Sequence, residues 1–279
     1  VKFYIPLYYM FYSRFKTKLN KISWFILIFF PTLSMTIYFS EVKSLYTYVS
    51  FLLATLAFFC VYEIGYIVND TITIKKEKKP NMRITMSEVE YLRGNFWKII
   101  LSKVLISVIS LIFLFLISRT FNVKIYTFQF FISLIGVSYF FYLHNTIRSR
   151  YNIFTFALLN IIKYYAFILL VVPFSKSLIP LLISIIFFPL VRTIEHSTKE
   201  KYNLIGMQRF VKNNDSFRVK YYALLFTVTL IILFINKYMT GRVNNLVWFC
   251  LITLGYFLTF RILVLIGLSY SKRLKSKYR

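Results

Sequence analysis

Apolar residues run in eight stretches along the chain, at positions 22–40, 45–68, 96–118, 125–143, 153–172, 177–191, 217–236 and 246–270, with polar segments between them. Each is close to the ~20 residues a helix needs to cross a hydrocarbon layer roughly 30 Å thick. They are too long and too evenly apolar for barrel strands, whose faces alternate. Because a backbone in lipid must satisfy its own hydrogen bonds, the pattern predicts helices. The expected fold class is all-α, a polytopic transmembrane helix bundle. The sixth stretch is short and carries Pro180 and Pro189, which predicts a kinked helix or one that begins near Pro173.

Composition agrees with this pattern. Of 279 residues 58% are hydrophobic and only 16% charged, against roughly 25% charged in soluble domains. The 35 Lys and Arg outnumber the nine Asp and Glu. In a soluble chain that excess would suggest nucleic acid, but here the cations lie between apolar stretches, which is a topology signal, so no nucleic-acid partner is expected. Lys2, Arg14, Lys16, Lys18 and Lys21 precede the first stretch, six cations lie between Lys75 and Arg93, and seven between Arg192 and Lys220. The alternate connections hold one or two each. Both termini are therefore expected in the cytoplasm, with the bilayer as partner and a bacterial inner (plasma) membrane as location. Cys60 and Cys250 fall inside apolar stretches and read as small hydrophobes. The first residues lack a cleavable leader pattern and predict an interfacial arm. One integral domain, 1–279, is expected, with an arm at 1–21 and polar connections at 69–95 and 192–216.

The nine acids are placed unevenly. Glu41 lies in an outer connection and Glu63 inside the second stretch; the other seven, Asp70, Glu77, Glu88, Glu90, Glu195, Glu200 and Asp215, occupy only the connections after the second and sixth stretches. Carboxylates mixed with cations suit a metal-bridged polyphosphate, and equally a solvated loop of ordinary ion pairs. If the second helix continues past the interface, Glu63, Asp70 and Glu77 recur every seven residues on nearly one face, with Asn69 and Thr73 in a neighbouring row. An uncompensated Glu63 in the bilayer costs roughly 2.5–3.5 kcal/mol. It should face a polar cavity or pair with Lys103, Lys163 or Arg261.

Tyr66, Asn69 and Asp70 in YIVND, followed by Thr73, Glu77, a basic run and Arg83, resemble the first aspartate-rich motif, NDxxDxxxD, of the UbiA-type intramembrane prenyltransferase superfamily. That superfamily carries its second acidic motif after the sixth helix, where Glu195 and Glu200 stand here. The resemblance covers roughly residues 45–222. It implies eight to nine helices around a central cavity, a polyprenyl lipid among the helices, and a diphosphate-bearing donor held by Mg²⁺ at the cytoplasmic mouth. Carried over by position, Asn69, Asp70, Glu77 and Glu195 would bind the metal, with Asp70 and Glu195 as the catalytic acids. Tyr66, Thr73, Arg83, Arg192 and Lys199 would contact substrate. Thr73 departs from the motif, since a neutral hydroxyl stands where an aspartate is expected. Glu195 and Glu200 are spaced by five residues, whereas the family has DxxxD. On a helix Arg192, Glu195, His196 and Lys199 would share one face, and Asp215 would cap the next helix.

The reaction implied is transfer of a prenyl group from a polyprenyl diphosphate to a lipophilic acceptor, or of phosphoribose from phosphoribosyl pyrophosphate to a polyprenyl phosphate. Nearby cations would stabilise the departing pyrophosphate, and the bundle would shield the resulting cationic carbon from water. A non-enzymatic transporter or flippase for an anionic lipid-linked intermediate is the alternative from a different class.

Overall fold

The computed structural model describes residues 2–76, 82–121, 123–147 and 149–277. Among the described residues every regular element is helical, with no strand. Seven helices are long and apolar enough to cross a membrane, or eight if Leu178–Phe187 and Pro189–Ser197 form one span. The protein is thus an all-α polytopic membrane protein, and the eight apolar stretches each correspond to one span or broken span. The last stretch stays a single helix through Arg261, so no ninth spanning helix arises there. The chain gathers into two compact units, Val1–Pro189 and Leu190–Arg279.

The first unit begins with a short helix, α1 (Tyr8–Ser13). The spanning helices α2 (Lys18–Phe39) and α3 (Leu45–Thr71) follow. A surface helix, α4 (Met86–Gly94), precedes α5 (Phe96–Thr120), α6 (Thr127–Thr146), α7 (Asn152–Leu169) and α8 (Leu178–Phe187). Pro31 lies within α2 and cannot donate to the carbonyl of Leu27 four residues back. A π-helical turn over Phe25–Phe29 absorbs the distortion, and the Tyr164 hydroxyl on α7 donates to the stranded Leu27 carbonyl at 3.2 Å. The helix is thereby kept intact across a residue that would otherwise break it.

The burial pattern is that of a bundle in lipid. On α5 the large residues Leu101, Leu105, Ile112 and Leu116 face outward, while Ile99, Lys103, Ser107, Ser110 and Leu114 are buried. Lipid supplies no hydrophobic force between helices, so small residues that allow close approach occupy the contact. Helix α3 contributes Ser50, Ala54 and Ala57 in the same way. Its Gly65 lies directly under the Phe141 ring of α6, where an added Cβ would sit 2.4 Å from ring carbon. Gly65→Ala is expected to lower the thermal midpoint in detergent by several degrees, since overpacking costs about 1–3 kcal/mol. Gly94→Ala, whose Cβ meets nothing within 4 Å, is the control, and equal midpoints for the two would refute the packing argument.

The end of α3 is fixed from outside. Arg93 of α4 donates through Nε and Nη2 to the Thr71 carbonyl at 3.0 and 2.8 Å, satisfying an acceptor that the helix leaves open and placing a cation at its negative end. Helix α4 in turn starts on a capping box between Thr85 and Glu88. Beyond Thr71 the chain tightens into a 3₁₀ turn, Thr73–Lys76. The seven-residue row therefore holds on one helix for Glu63 and Asp70 only, and Glu77 lies outside the described residues.

The second unit holds α9 (Pro189–Ser197) from its second residue on, α10 (Ile205–Val211), α11 (Asn214–Thr240) and α12 (Asn245–Lys277). Helices α11 and α12 pack against each other, with the rings of Tyr222 and Phe257 stacked 5.2 Å apart. Gly241, at φ 65°, ends α11 in the left-handed conformation that favours glycine. The expected cap at Asp215 is corrected: Asn213 caps α11, its Oδ1 accepting the backbone N–H groups of Asp215 and Ser216, both at 3.0 Å. Asn213 is the residue with extended backbone at that junction, which is what a cap requires.

Candidate functional site

The amino-terminal arm is bolted into the bundle by a buried ion pair. Glu63 on α3 and Lys103 on α5 are both fully buried and 2.6 Å apart. Glu63 also accepts the backbone N–H groups of Leu7 (3.1 Å) and Met10 (2.8 Å), while Lys103 donates to the Ile5 carbonyl at 2.7 Å. Of the three partners the sequence offered for Glu63, Lys103 is the one used. Lys163 lies over the Tyr62 ring at 4.8 Å. Leu7 sits at φ 66°, a conformation costing a branched L-residue roughly 1–2 kcal/mol. The bond from its N–H to Glu63 offsets that strain.

This anchorage brings Tyr9 and Arg14 to the first predicted cluster. Asp70, 1% exposed, accepts the Tyr9 hydroxyl at 2.7 Å. Arg14 Nη2 lies 3.0 Å from both of its carboxylate oxygens. The Asn69 side-chain amide donates to Asp70 at 3.1 Å, and Arg83 Nη1 stands 4.0 Å away. The Arg14 guanidinium lies over the Tyr66 ring, 4.2 Å from its centroid. Thr73 donates to Asn69 Oδ1 at 3.1 Å. Tyr66, Asn69, Asp70, Thr73 and Arg83 are thus gathered at one place. Burial first, and the neighbouring Asp70 charge second, hold the Tyr9 phenol well above its ordinary pKa, so it remains a hydrogen-bond donor.

A cavity of about 510 Å³ opens beside this cluster. Lys16, Lys21 and Arg83 line it together with Phe11, Phe15 and Met82. Glu88, at its edge, accepts the Tyr12 hydroxyl at 2.7 Å and the Thr85 backbone N–H at 3.0 Å. Partial burial raises its pKa, but these bonds outweigh that and hold it below the usual carboxylate value. Tyr9 and Arg14 escaped the sequence reading as parts of this site. Their roles depend on contacts 56–61 residues apart in the chain, which no local motif encodes.

The second cluster is an arginine clamp on one carboxylate. Glu195, 7% exposed, is gripped by Arg218 through Nε and, at 2.9 Å, Nη2. Arg192 donates to it at 3.1 Å, and Arg218 Nη1 holds Asp215 at 2.8 Å. His196 and the Tyr202 hydroxyl are 2.7 Å apart. Burial pushes the Tyr202 phenol up to about 12. Helix α9 stops at Ser197, so Lys199 falls beyond it, exposed, and the four-residue face ends at His196. Arg261 on α12 is 7% exposed, and its Nε has no partner.

Mg²⁺, which the resemblance implies, demands near-octahedral oxygen ligands at about 2.0–2.1 Å. The described residues do not offer them in this arrangement. Both oxygens of Asp70 face cationic or N–H and O–H donors, and both oxygens of Glu195 face arginines. Among the described residues no three His, Cys, Asp or Glu side chains gather into a metal site. Compared with family models, curated proteins and solved structures, the chain matches none of them.

Proposed function

We propose that this protein is an intramembrane transferase of the UbiA type. It would act either on a polyprenyl diphosphate and a lipophilic acceptor, or on phosphoribosyl pyrophosphate and a polyprenyl phosphate, in a bacterial plasma membrane with both termini cytoplasmic. One observation carries the reading: the cavity that Lys16, Lys21 and Arg83 share with Phe11, Phe15 and Met82. Three cations beside apolar rings and chains complement a ligand with a phosphate head and a hydrocarbon body. Arg83 lies at the junction of that cavity with Asp70. A guanidinium there binds phosphate oxygens and stabilises the charge that builds on a departing pyrophosphate. Asp70 orients Arg14, and the Arg83 side chain, 38% exposed, reaches the cavity.

Pyrophosphate release from purified protein supplied with each donor and acceptor pair tests this. One pair is expected to support release, and Arg83→Gln to reduce it roughly 100-fold, in line with the loss of one preorganised charge-stabilising donor. The second reading, a non-enzymatic flippase, draws on the engagement of Asp70 and Glu195 by arginines, an arrangement suited to carrying an anion. No release with either pair, together with transfer of a polyprenyl phosphate between vesicle leaflets, would establish the flippase instead.

A further inference from the structure

The donor set around Asp70 is inverted relative to a metal site. A divalent cation needs lone pairs turned toward it, whereas Asp70 is surrounded by Arg14, Arg83, the Tyr9 hydroxyl and the Asn69 amide N–H. Asn69 Oδ1, on the neighbouring side chain, accepts the Thr73 hydroxyl. Charge points the same way. Among the described residues, two guanidiniums, Arg14 at 3.0 Å and Arg83 at 4.0 Å, stand against the Asp70 carboxylate. Adding a divalent cation would stack like charges at a buried site, while a phosphoryl group would neutralise them. Thr73 removes a carboxylate that a metal would need and a phosphate would not.

Arg14 itself is incompletely satisfied. Its side chain is 9% exposed, yet Nε and Nη1 have no partner in the protein. Buried polar groups are paired in the great majority of cases. A guanidinium with one nitrogen on Asp70 and two buried nitrogens without a hydrogen-bond partner keeps unused N–H donors of the kind that bind phosphate oxygens. The Glu63–Lys103 anchorage of the arm fixes where that guanidinium sits.

We infer that Arg14 occupies the place of a divalent cation at Asp70, and that the cluster binds a phosphoryl group through Arg14 and Arg83 without metal. The inference takes the ligand class from the function proposed above; the place assigned to Arg14 stands independently of it.

Two measurements on detergent-purified full chain decide it. In the first, Mn²⁺ binding is followed by electron paramagnetic resonance for wild type, Asp70→Asn, Arg14→Met and the Arg14→Met/Asp70→Asn double variant. Wild type and Asp70→Asn are expected to bind Mn²⁺ equally, while Arg14→Met gains a site at least tenfold tighter that the double variant loses. Mn²⁺ binding by wild type that Asp70→Asn abolishes overturns the inference. Should Arg14→Met prove too unstable to purify, the comparison of wild type with Asp70→Asn decides alone. In the second, inorganic pyrophosphate and a short polyprenyl monophosphate are titrated separately, each with EDTA or with Mg²⁺. At least one is expected to bind within threefold of the same affinity in both conditions, and at least tenfold more weakly to Arg14→Lys, which keeps the charge but lacks the fork. Saturation by pyrophosphate identifies a soluble phosphate ligand, and saturation by the lipid alone a lipid headgroup. Binding abolished by EDTA, or equal in Arg14→Lys, overturns metal-free recognition. Absence of binding under every condition overturns the ligand class and the proposed function together, and the Mn²⁺ comparison still judges Arg14.

Discussion

Lys103→Met is expected to lower the thermal midpoint of the purified protein by on the order of 10 °C, corresponding to roughly 3–5 kcal/mol for a buried carboxylate left without its cation. Glu63 and Lys103 are both fully buried, so no water replaces the lost ammonium. The damage extends beyond the pair. Lys103 also holds the Ile5 carbonyl, and Glu63 holds the N–H groups of Leu7 and Met10. With the charge uncompensated, the grip of Glu63 on the arm weakens. Trypsin should then cut after Arg14 or Lys16 faster than in wild type. The double variant Glu63→Gln/Lys103→Met removes both charges and is expected to recover a large part of the midpoint, because the cost lies in the orphaned charge rather than in the missing bond. A midpoint for Lys103→Met equal to wild type, or a double variant no better than the single, would show that the pair does not anchor the arm.

The same pair shows what could be read from the sequence and what could not. The spans were legible because a bilayer imposes one length and one polarity on every helix that crosses it: the stretch at 45–68 became Leu45–Thr71, and that at 217–236 became Asn214–Thr240. The existence of a partner for Glu63 was legible too, from the cost of a bare charge in lipid. Its identity was not, because the rotation of α5 against α3 is set by packing. A clue was nevertheless present: Lys103, Ser107 and Ser110 share one face of α5, and that small, polar face is the buried one. At the candidate site, Asn69, Asp70, Thr73 and Arg83 were placed by a motif local in sequence. Tyr9 and Arg14 were not, because they arrive from an arm whose docking depends on side chains of two other helices. Counted only as a topology charge, Arg14 gave no sign that it would end up buried against a carboxylate.

That placement changes the expected behaviour of Asp70→Ala. From sequence, such a substitution should abolish turnover and leave folding intact. The structure predicts that it also destabilises the protein by roughly 3–5 kcal/mol, because Arg14 is buried and Asp70 is its counter-ion. Nε and Nη1 of Arg14 already lack partners, so the guanidinium would be left with no acceptor at all. Tyr9, a permanent donor, would lose its acceptor as well. Asp70→Asn is milder: the amide keeps the shape and one acceptor oxygen while losing the charge, and it separates the two effects. Its midpoint should lie between wild type and Asp70→Ala, with turnover reduced as strongly as in the alanine variant if orientation of Arg14 and Arg83 by a full negative charge is what the reaction needs. The decisive comparison is the cycle with Arg14→Ala. Residues that share one buried pair couple by 0.5–3 kcal/mol or more, so Arg14→Ala/Asp70→Ala should be more stable than Asp70→Ala alone. Additive losses in that cycle would mean that Arg14 and Asp70 do not form the pair described, and the arm would then have no part in shaping the site.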